Sequence, residues 1–314
     1  MYEGYITDIK RIKIGHSENL KAGTGLTVLI PPANNTCSVE VRGSAPGTRE
    51  TDLLDPINSV ESVNAIILSG GSAYGLDAAS GVMHALEKDG LGFDVGVCKV
   101  PIVSQAVLFD LAYKDWKIRP DEKMGEIAYK NASEKENRQG IIGAGTGATV
   151  GKILGMENAM KSGLGSASIK VKDLIVAAIV AVNAFGDIYD YEKRIQIAGP
   201  KVDGKILNTL DIMPKTMIDF TSFANKNTTI GIIATNAKFD KTRLKKISQM
   251  AHDGFARSIN PVHTGFDGDT IFALSTNEIN SDLNLVGSLA AKVVSRAIAN
   301  AIYASTSKNG IKSK

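Results

Sequence analysis

Short apolar runs bounded by Gly, Pro and Asn recur along the 314-residue chain, and three stretches between them carry apolar positions at helical spacing. Residues 25–30 (GLTVLI) and 37–41 (CSVEV) are β-branched and separated by Pro31-Pro32 and Asn34-Asn35, which predicts two strands. Residues 65–68 predict a third, with Ser69-Gly70-Gly71-Ser72 as its exit turn. From Tyr74 the period changes. Leu76, Ala79, Val82, Met83 and Leu86 recur every three or four residues, as one face of a helix requires, and Gly90 supplies a stop. A helix entered through such a turn presents free backbone N–H groups to whatever lies above it.

Farther along, residues 166–172 alternate as a half-exposed strand should, and 174–182 are apolar throughout, as in a fully buried strand closed by Asn183. Residues 229–234 (TIGIIA) and 270–274 predict two more strands. Leu244, Ile247, Met250, Ala251 and Phe255 share one side of a helix over 241–255. Leu289, Val293, Ala297 and Ile302 do so over 285–304, with Ser281 and Asp282 as cap candidates. The charged stretch 115–138 reads as a surface excursion, and 139–151 holds too many glycines for a helix and reads as a shaped loop. Buried strands with flanking helices predict a layered α/β fold. With no internal repeat and no Pro-, Gly- or Ser-rich linker, residues 1–314 read as one domain.

Composition narrows the function classes. Forty-three per cent hydrophobic and 22% charged residues exclude a disordered or fibrous chain. The formal charge of +3 is too small to build a phosphate-tracking face, so no nucleic acid partner is expected. Cys37 and Cys98 lack a CxxC spacing and read as free thiols of a reducing compartment. The N-terminal residues hold no apolar segment of signal-peptide type, and no run of 18 apolar residues is free of charge. The expectation is a soluble, cytoplasmic protein with no membrane partner. The 31 glycines cluster at 69–72, 140–151 and 163–165, where close backbone approach is expected.

Three segments invite chemistry. The run 143–152 fails as a phosphate loop, since no Gly stands five residues before Gly151-Lys152 and Ile153 replaces the hydroxyl. Gly143-x-Gly145-x-x-Ala148 does fit a relaxed dinucleotide fingerprint, which keeps a non-catalytic nucleotide-binding α/β protein as an alternative, although the strand before it is only Ile141-Ile142. His263, Asp267 and Asp269 lie together in HTGFDGDT, able to ligate a hard cation, to orient a catalytic amine, or to hold a loop through Asx turns. His16, His84 and His252 have no partners at ligand spacing. Asn227-Thr228-Thr229 opens a buried strand and contains the elements of an N-terminal nucleophile. A threonine hydroxyl that attacks the preceding carbonyl leaves, after hydrolysis, an α-amine of pKa about 7.7–8.0 beside itself as local base.

Five segments together resemble the DmpA-type aminopeptidase/amidase family, which includes the nylon-oligomer (6-aminohexanoate-oligomer) endohydrolases. They are SGGSAYGLDAASGV at 69–82, GAGTGATVGK at 143–152, VAVNAFGDI at 180–188, NTTIGIIATNA at 227–237 and PVHTGFDGDTIFALST at 261–276. The resemblance implies a layered αββα sandwich similar to N-terminal nucleophile hydrolases. It also implies self-cleavage between Asn227 and Thr228 into associated chains 1–227 and 228–314, assembled as a homotetramer of cleaved heterodimers. Thr228 would be the nucleophile and its new amine the proton acceptor. Asn183 would present its amide to the oxyanion, Tyr74 would stand near the same site, and Lys152 would assist the nucleophile. Asp267 and Asp269 would orient the amine and the threonine. The implied substrate is a small amide or peptide, with no cofactor and no metal. Threonine where the aminopeptidases carry serine, and FDGD where they carry an Asn-Ser-Gly-Asp-like run, side with the nylon-oligomer branch; an aminopeptidase or D-amino-acid amidase is the alternative within the family.

Overall fold

The computed structural model describes residues 1–216 and 227–305. In chain order the principal elements are β1 (Lys13–Asn19), β2 (Thr24–Ile30), β3 (Thr36–Val41), β4 (Thr48–Arg49), β5 (Ala65–Ser69), α1 (Ala78–Lys88), β6 (Val103–Val107), α2 (Glu122–Lys130), β7 (Leu164–Val171), β8 (Leu174–Ala181), β9 (Ile230–Ala237), α3 (Lys241–Ser258), β10 (Thr270–Ile279) and α4 (Leu283–Tyr303). One mixed sheet runs β1-β2-β5-β6-β4 and a second runs β7-β8-β9-β10-β3.

The period-two alternation of the strands sorts their side chains into three cores. Ile66, Leu68, Ala177, Ile179, Ile230, Ile232, Phe272 and Leu274 fill the space between the two sheets. Their neighbours Val176, Ala178, Val180, Ile233, Ile271 and Ala273 face α3 and α4 on the outer side of the second sheet. Leu26, Val28, Ala65 and Ile67 face α1 and α2 on the outer side of the first. The layers are therefore α, β, β, α, as the resemblance implies.

Two departures from the sequence reading have local causes. The charged stretch 115–138 contains α2, begun by Asp121, whose side chain accepts the Met124 N–H at 2.8 Å. It packs on α1 where two glycines meet its backbone: a Cβ at Gly81 would lie 1.8 Å from the Glu122 carbonyl oxygen, and one at Gly125 would lie 2.0 Å from that of Ala78. The helix foreseen from Tyr74 opens as a 3-10 turn over Ser72–Asp77 before α1 begins. Helix α4 is long and apolar enough by length and composition to cross a membrane, although Lys292 and Arg296 interrupt its apolar run. Its most apolar window is 72% buried, and it packs on α3, β7 and β8.

Candidate active site

Sheet register brings distant segments to one end of the second sheet. Strands β9 and β10 are parallel, with Ile230 opposite Thr270, so the residues just before each strand lie side by side. Asn227 accordingly pairs with Asp267, and the Gly268 N–H donates to Thr228 Oγ1 at 3.2 Å. Strand β8 is antiparallel to β9, with Ala181 opposite Ile230, so its exit also reaches the junction. There the Thr228 N–H donates to the Asn183 carbonyl at 2.9 Å. The Thr228 hydroxyl donates to the carbonyl oxygen of Asn227, the group it would have to attack. Asn227, Thr228, Asp267 and Asp269 are all buried. Gly268 is required by contact, since a Cβ there would stand 2.6 Å from the Ala45 carbonyl oxygen and 2.9 Å from Thr228 Oγ1.

Lys152 arrives from the glycine-rich loop. Its N–H and that of Gly151 donate to the carbonyls of Phe185 and Gly186 at 3.0 and 3.1 Å, which docks the loop beside the exit of β8. Its Nζ lies 2.9 Å from Asn183 Oδ1, 3.3 Å from the Asn183 carbonyl and 3.2 Å from Asn227 Oδ1. Burial pulls the Lys152 pKa down to about 7, against the upward pull of Asp267 and Asp110. A group so poised exchanges a proton near neutrality.

The two aspartates do different work. Asp267 Oδ2 accepts from the Thr264 N–H and hydroxyl at 2.8 and 2.7 Å. Burial, then the charge of Asp269, push the Asp267 carboxyl up to about 6. Asp269 Oδ1 accepts the Thr229 N–H at 2.8 Å, and its Oδ2 lies 2.9 Å from His263 Nδ1. These bonds realise the Asx-type loop and hold Thr229, the residue that follows Thr228. Among the described residues, no group of three or more His, Cys, Asp or Glu is arranged to hold a metal.

Asn183 differs from expectation in detail. Its side-chain N–H donates to the Phe109 carbonyl at 2.9 Å, and its Oδ1 receives both Lys152 Nζ and the Thr149 N–H. Donors on one end and an acceptor on the other fix the amide's orientation, and none of these bonds is to the Asn227 carbonyl. In this uncut chain Asn183 holds Lys152 and the Thr228 N–H. Tyr74 stands apart: its ring is 61% exposed, lies 3.9 Å under the Arg119 guanidinium, and lines a surface depression with Asp77, Lys117 and Asp121. The dinucleotide reading of residues 143–148 is overturned, because this segment is a buried 3-10 turn leading into the strand Thr149–Val150, with no helix to receive a phosphate.

Sequence reasoning missed Asp110, which holds three segments together. It accepts the Thr24 hydroxyl and the Gly71 N–H at 2.7 Å each, and burial lifts its carboxyl to about 6. It follows an apolar strand that was itself overlooked, and nothing in the local pattern marks it.

A family model described as Peptidase family S58 matches residues 4–314. The chain is similar to an uncharacterized aminopeptidase of Mycobacterium leprae, 36% identical over 341 residues that cover 98% of this chain and 92% of that protein. It is also similar to a 6-aminohexanoate-oligomer endohydrolase of Agromyces sp., 31% identical over 282 residues, 87% of this chain and 75% of that one. In fold it is similar to the L-aminopeptidase D-Ala-esterase/amidase of Ochrobactrum anthropi, described as a variant of the Ntn-hydrolase fold. The TM-score is 0.69 at 18% identity, over 96% of this chain and 86% of the other.

Proposed function

The chain belongs to peptidase family S58 and is a hydrolase of amide bonds, and we propose that it matures by cutting itself between Asn227 and Thr228. The single observation that carries this reading is the Thr228 hydroxyl set against the Asn227 carbonyl inside a buried, hydrogen-bonded junction. Attack by Oγ1 forms an ester to the Asn227 carbonyl carbon while the C–N bond to Thr228 breaks. The hydroxyl proton passes through neutral Lys152 to the departing nitrogen. Water then adds to the ester, the C–O bond breaks, and Asn227 leaves as a carboxylic acid with the Thr228 hydroxyl restored.

The same groups then serve a substrate. The freed α-amine of Thr228 takes the hydroxyl proton as local base, held by the Asn183 carbonyl that already accepts its N–H. Preorganised hydrogen bonds of this kind require no rearrangement when charge develops. Chains 1–227 and 228–314 stay together, because β9 and β10 of the smaller chain lie between β8 and β3 of the larger one in a single sheet. We take the active form to be a cytoplasmic homo-oligomer of such pairs, on the strength of the family resemblance.

Substrates are peptide-like amides or 6-aminohexanoate oligomers. The aminopeptidase alternative gains weight from the higher identity to the mycobacterial relative, 36% against 31%. The test is hydrolysis of amino-acid p-nitroanilides and 6-aminohexanoate oligomers by the wild type and Thr228→Ala. Turnover should fall by about 10⁴ or more in the variant, as loss of a nucleophile does elsewhere. Equal turnover by both proteins contradicts the reading.

A further inference from the structure

Two hollows flank the junction, and they are unlike. On one side lies a wide, open depression of about 350 Å³ bounded by Ala45, Pro46, Ser72, Ala73, Phe109 and Thr228. On the other lies a narrower cavity of about 110 Å³, mostly apolar, walled by Phe109, Tyr113, Gly147, Lys152, Met156 and Asn227.

Resting on the Thr228 reading above, we propose that the smaller cavity is the acyl-side pocket of the mature enzyme. It takes the side chain of the residue whose carbonyl is transferred to Thr228 and selects short aliphatic groups.

The argument starts from the chemistry of one nucleophile serving two reactions. In self-cleavage the acyl donor is Asn227. A substrate carbonyl attacked by the same hydroxyl must occupy the place of the Asn227 carbonyl, so its side chain enters the hollow that Asn227 borders. Asn227 itself fits that hollow poorly. Its Oδ1 meets Lys152, but its buried Nδ2 has no hydrogen-bond partner among the described residues. An unsatisfied buried donor costs about 1–3 kcal/mol, which favours departure of Asn227 once the peptide bond is cut. Apolar walls then offer a better home to a methylene chain than to an amide.

Size sets the limit. An apolar cavity of about 150 Å³ takes up benzene, so by proportion this one holds roughly four carbon atoms and excludes an indole. The open depression on the other side leaves the departing amine little constrained. Met156 is partly exposed, belongs to the cavity wall and takes no part in the junction's hydrogen bonds described above, which makes it the residue with which to alter the pocket.

The experiment compares kcat/KM for glycyl, norleucyl, phenylalanyl and tryptophyl p-nitroanilides in the full chain, with Met156→Ala and Met156→Trp. Removing or adding methylene-scale volume in an apolar pocket shifts discrimination by about 10–200-fold. Met156→Trp should lower the norleucyl-to-glycyl ratio at least about tenfold, and Met156→Ala should raise the phenylalanyl-to-norleucyl ratio by a similar factor. If the wild type cuts none of these anilides yet cleaves itself before Thr228 and hydrolyses 6-aminohexanoate oligomers, the pocket alone is overturned; if it does none of these, the reading of Thr228 falls with it. If it cuts them with ratios that neither substitution moves, the pocket alone is overturned.

Discussion

Lys152 and Lys161 stand on the same stretch of chain, both buried, and they are held in opposite ways. Lys161 Nζ donates to the backbone carbonyls of Gly145, Ala148 and Ser162 at 3.1, 2.6 and 2.7 Å. The first two of those carbonyls belong to the loop that presents Lys152, so Lys161 acts as a clamp on its shape. Lys152 reaches Asn183 and Asn227 instead, across the peptide bond proposed to break, and burial brings its pKa to about 7. Burial alone therefore does not mark a functional lysine. What separates the two is whether the ammonium is spent on fixed backbone or set beside the peptide bond proposed to break.

Substitution by methionine should divide them. Lys152→Met should slow self-cleavage by about 10²–10⁴, the usual worth of a positioned proton carrier. Its stability should move little, since Asn183 Oδ1 and the Asn183 carbonyl keep the Thr149 and Thr228 N–H groups as donors and the desolvation cost of the amine is removed with it. The wild-type rate should rise with pH until Lys152 is neutral, falling about tenfold per unit below pH 7 and levelling above it. The sign follows from the lowered pKa, because only the neutral amine can accept the Thr228 proton. Timed gel analysis of refolded precursor across pH 5–9 reads both effects, and a step that persists in Lys152→Met would assign the titration to another group.

Lys161→Met should do the reverse. Removing the donor leaves the Ser162 carbonyl without a donor among the described residues, at about 1–3 kcal/mol, while those of Gly145 and Ala148 keep the Ala148 and Ser162 N–H groups. Urea unfolding in a Thr228→Ala background, which keeps the chain whole, should show a loss of about 1–3 kcal/mol. An unchanged midpoint would remove the clamp from the account. The smallest effect is expected at Tyr74. Its ring lies under Arg119 and outside the hollow at Thr228, so Tyr74→Phe should change kcat/KM by less than about twofold, against losses of 10² or more for a transition-state donor. A hundredfold loss would restore Tyr74 to the site.

The apolar runs that became β2, β5, β8, β9 and β10 were legible because burial on both faces leaves a near-continuous pattern, and β3 was legible through the alternation of Cys37, Val39 and Val41. Strand β1 (KIGHSEN) was not, since His16 and Ser17 are buried polar residues that break the pattern a strand is read from. Helix α2 was hidden by its charges, though Asp121 as a cap with Met124, Ile127 and Ala128 behind it carried the signal. The site divides along the same line. Thr228, Asp267 and Asp269 were singled out through motifs, and the parallel register of β9 and β10 supplies the physical reason they meet. Their separation of about forty residues in sequence conceals that register. The direction of the Asn183 amide and the role of Asp110 depend on backbone carbonyls and N–H groups brought in from distant loops, which no side-chain pattern encodes.

The central claim is that Thr228 cuts the chain that carries it. Denatured intact mass of freshly purified wild type, alongside Thr228→Ala, tests this most directly. The account predicts two wild-type species, residues 1–227 and 228–314, the smaller beginning at Thr228, and a single 314-residue species for the variant. Two fragments of the same masses from Thr228→Ala, or a wild type that stays whole after prolonged incubation at pH 8, would contradict it.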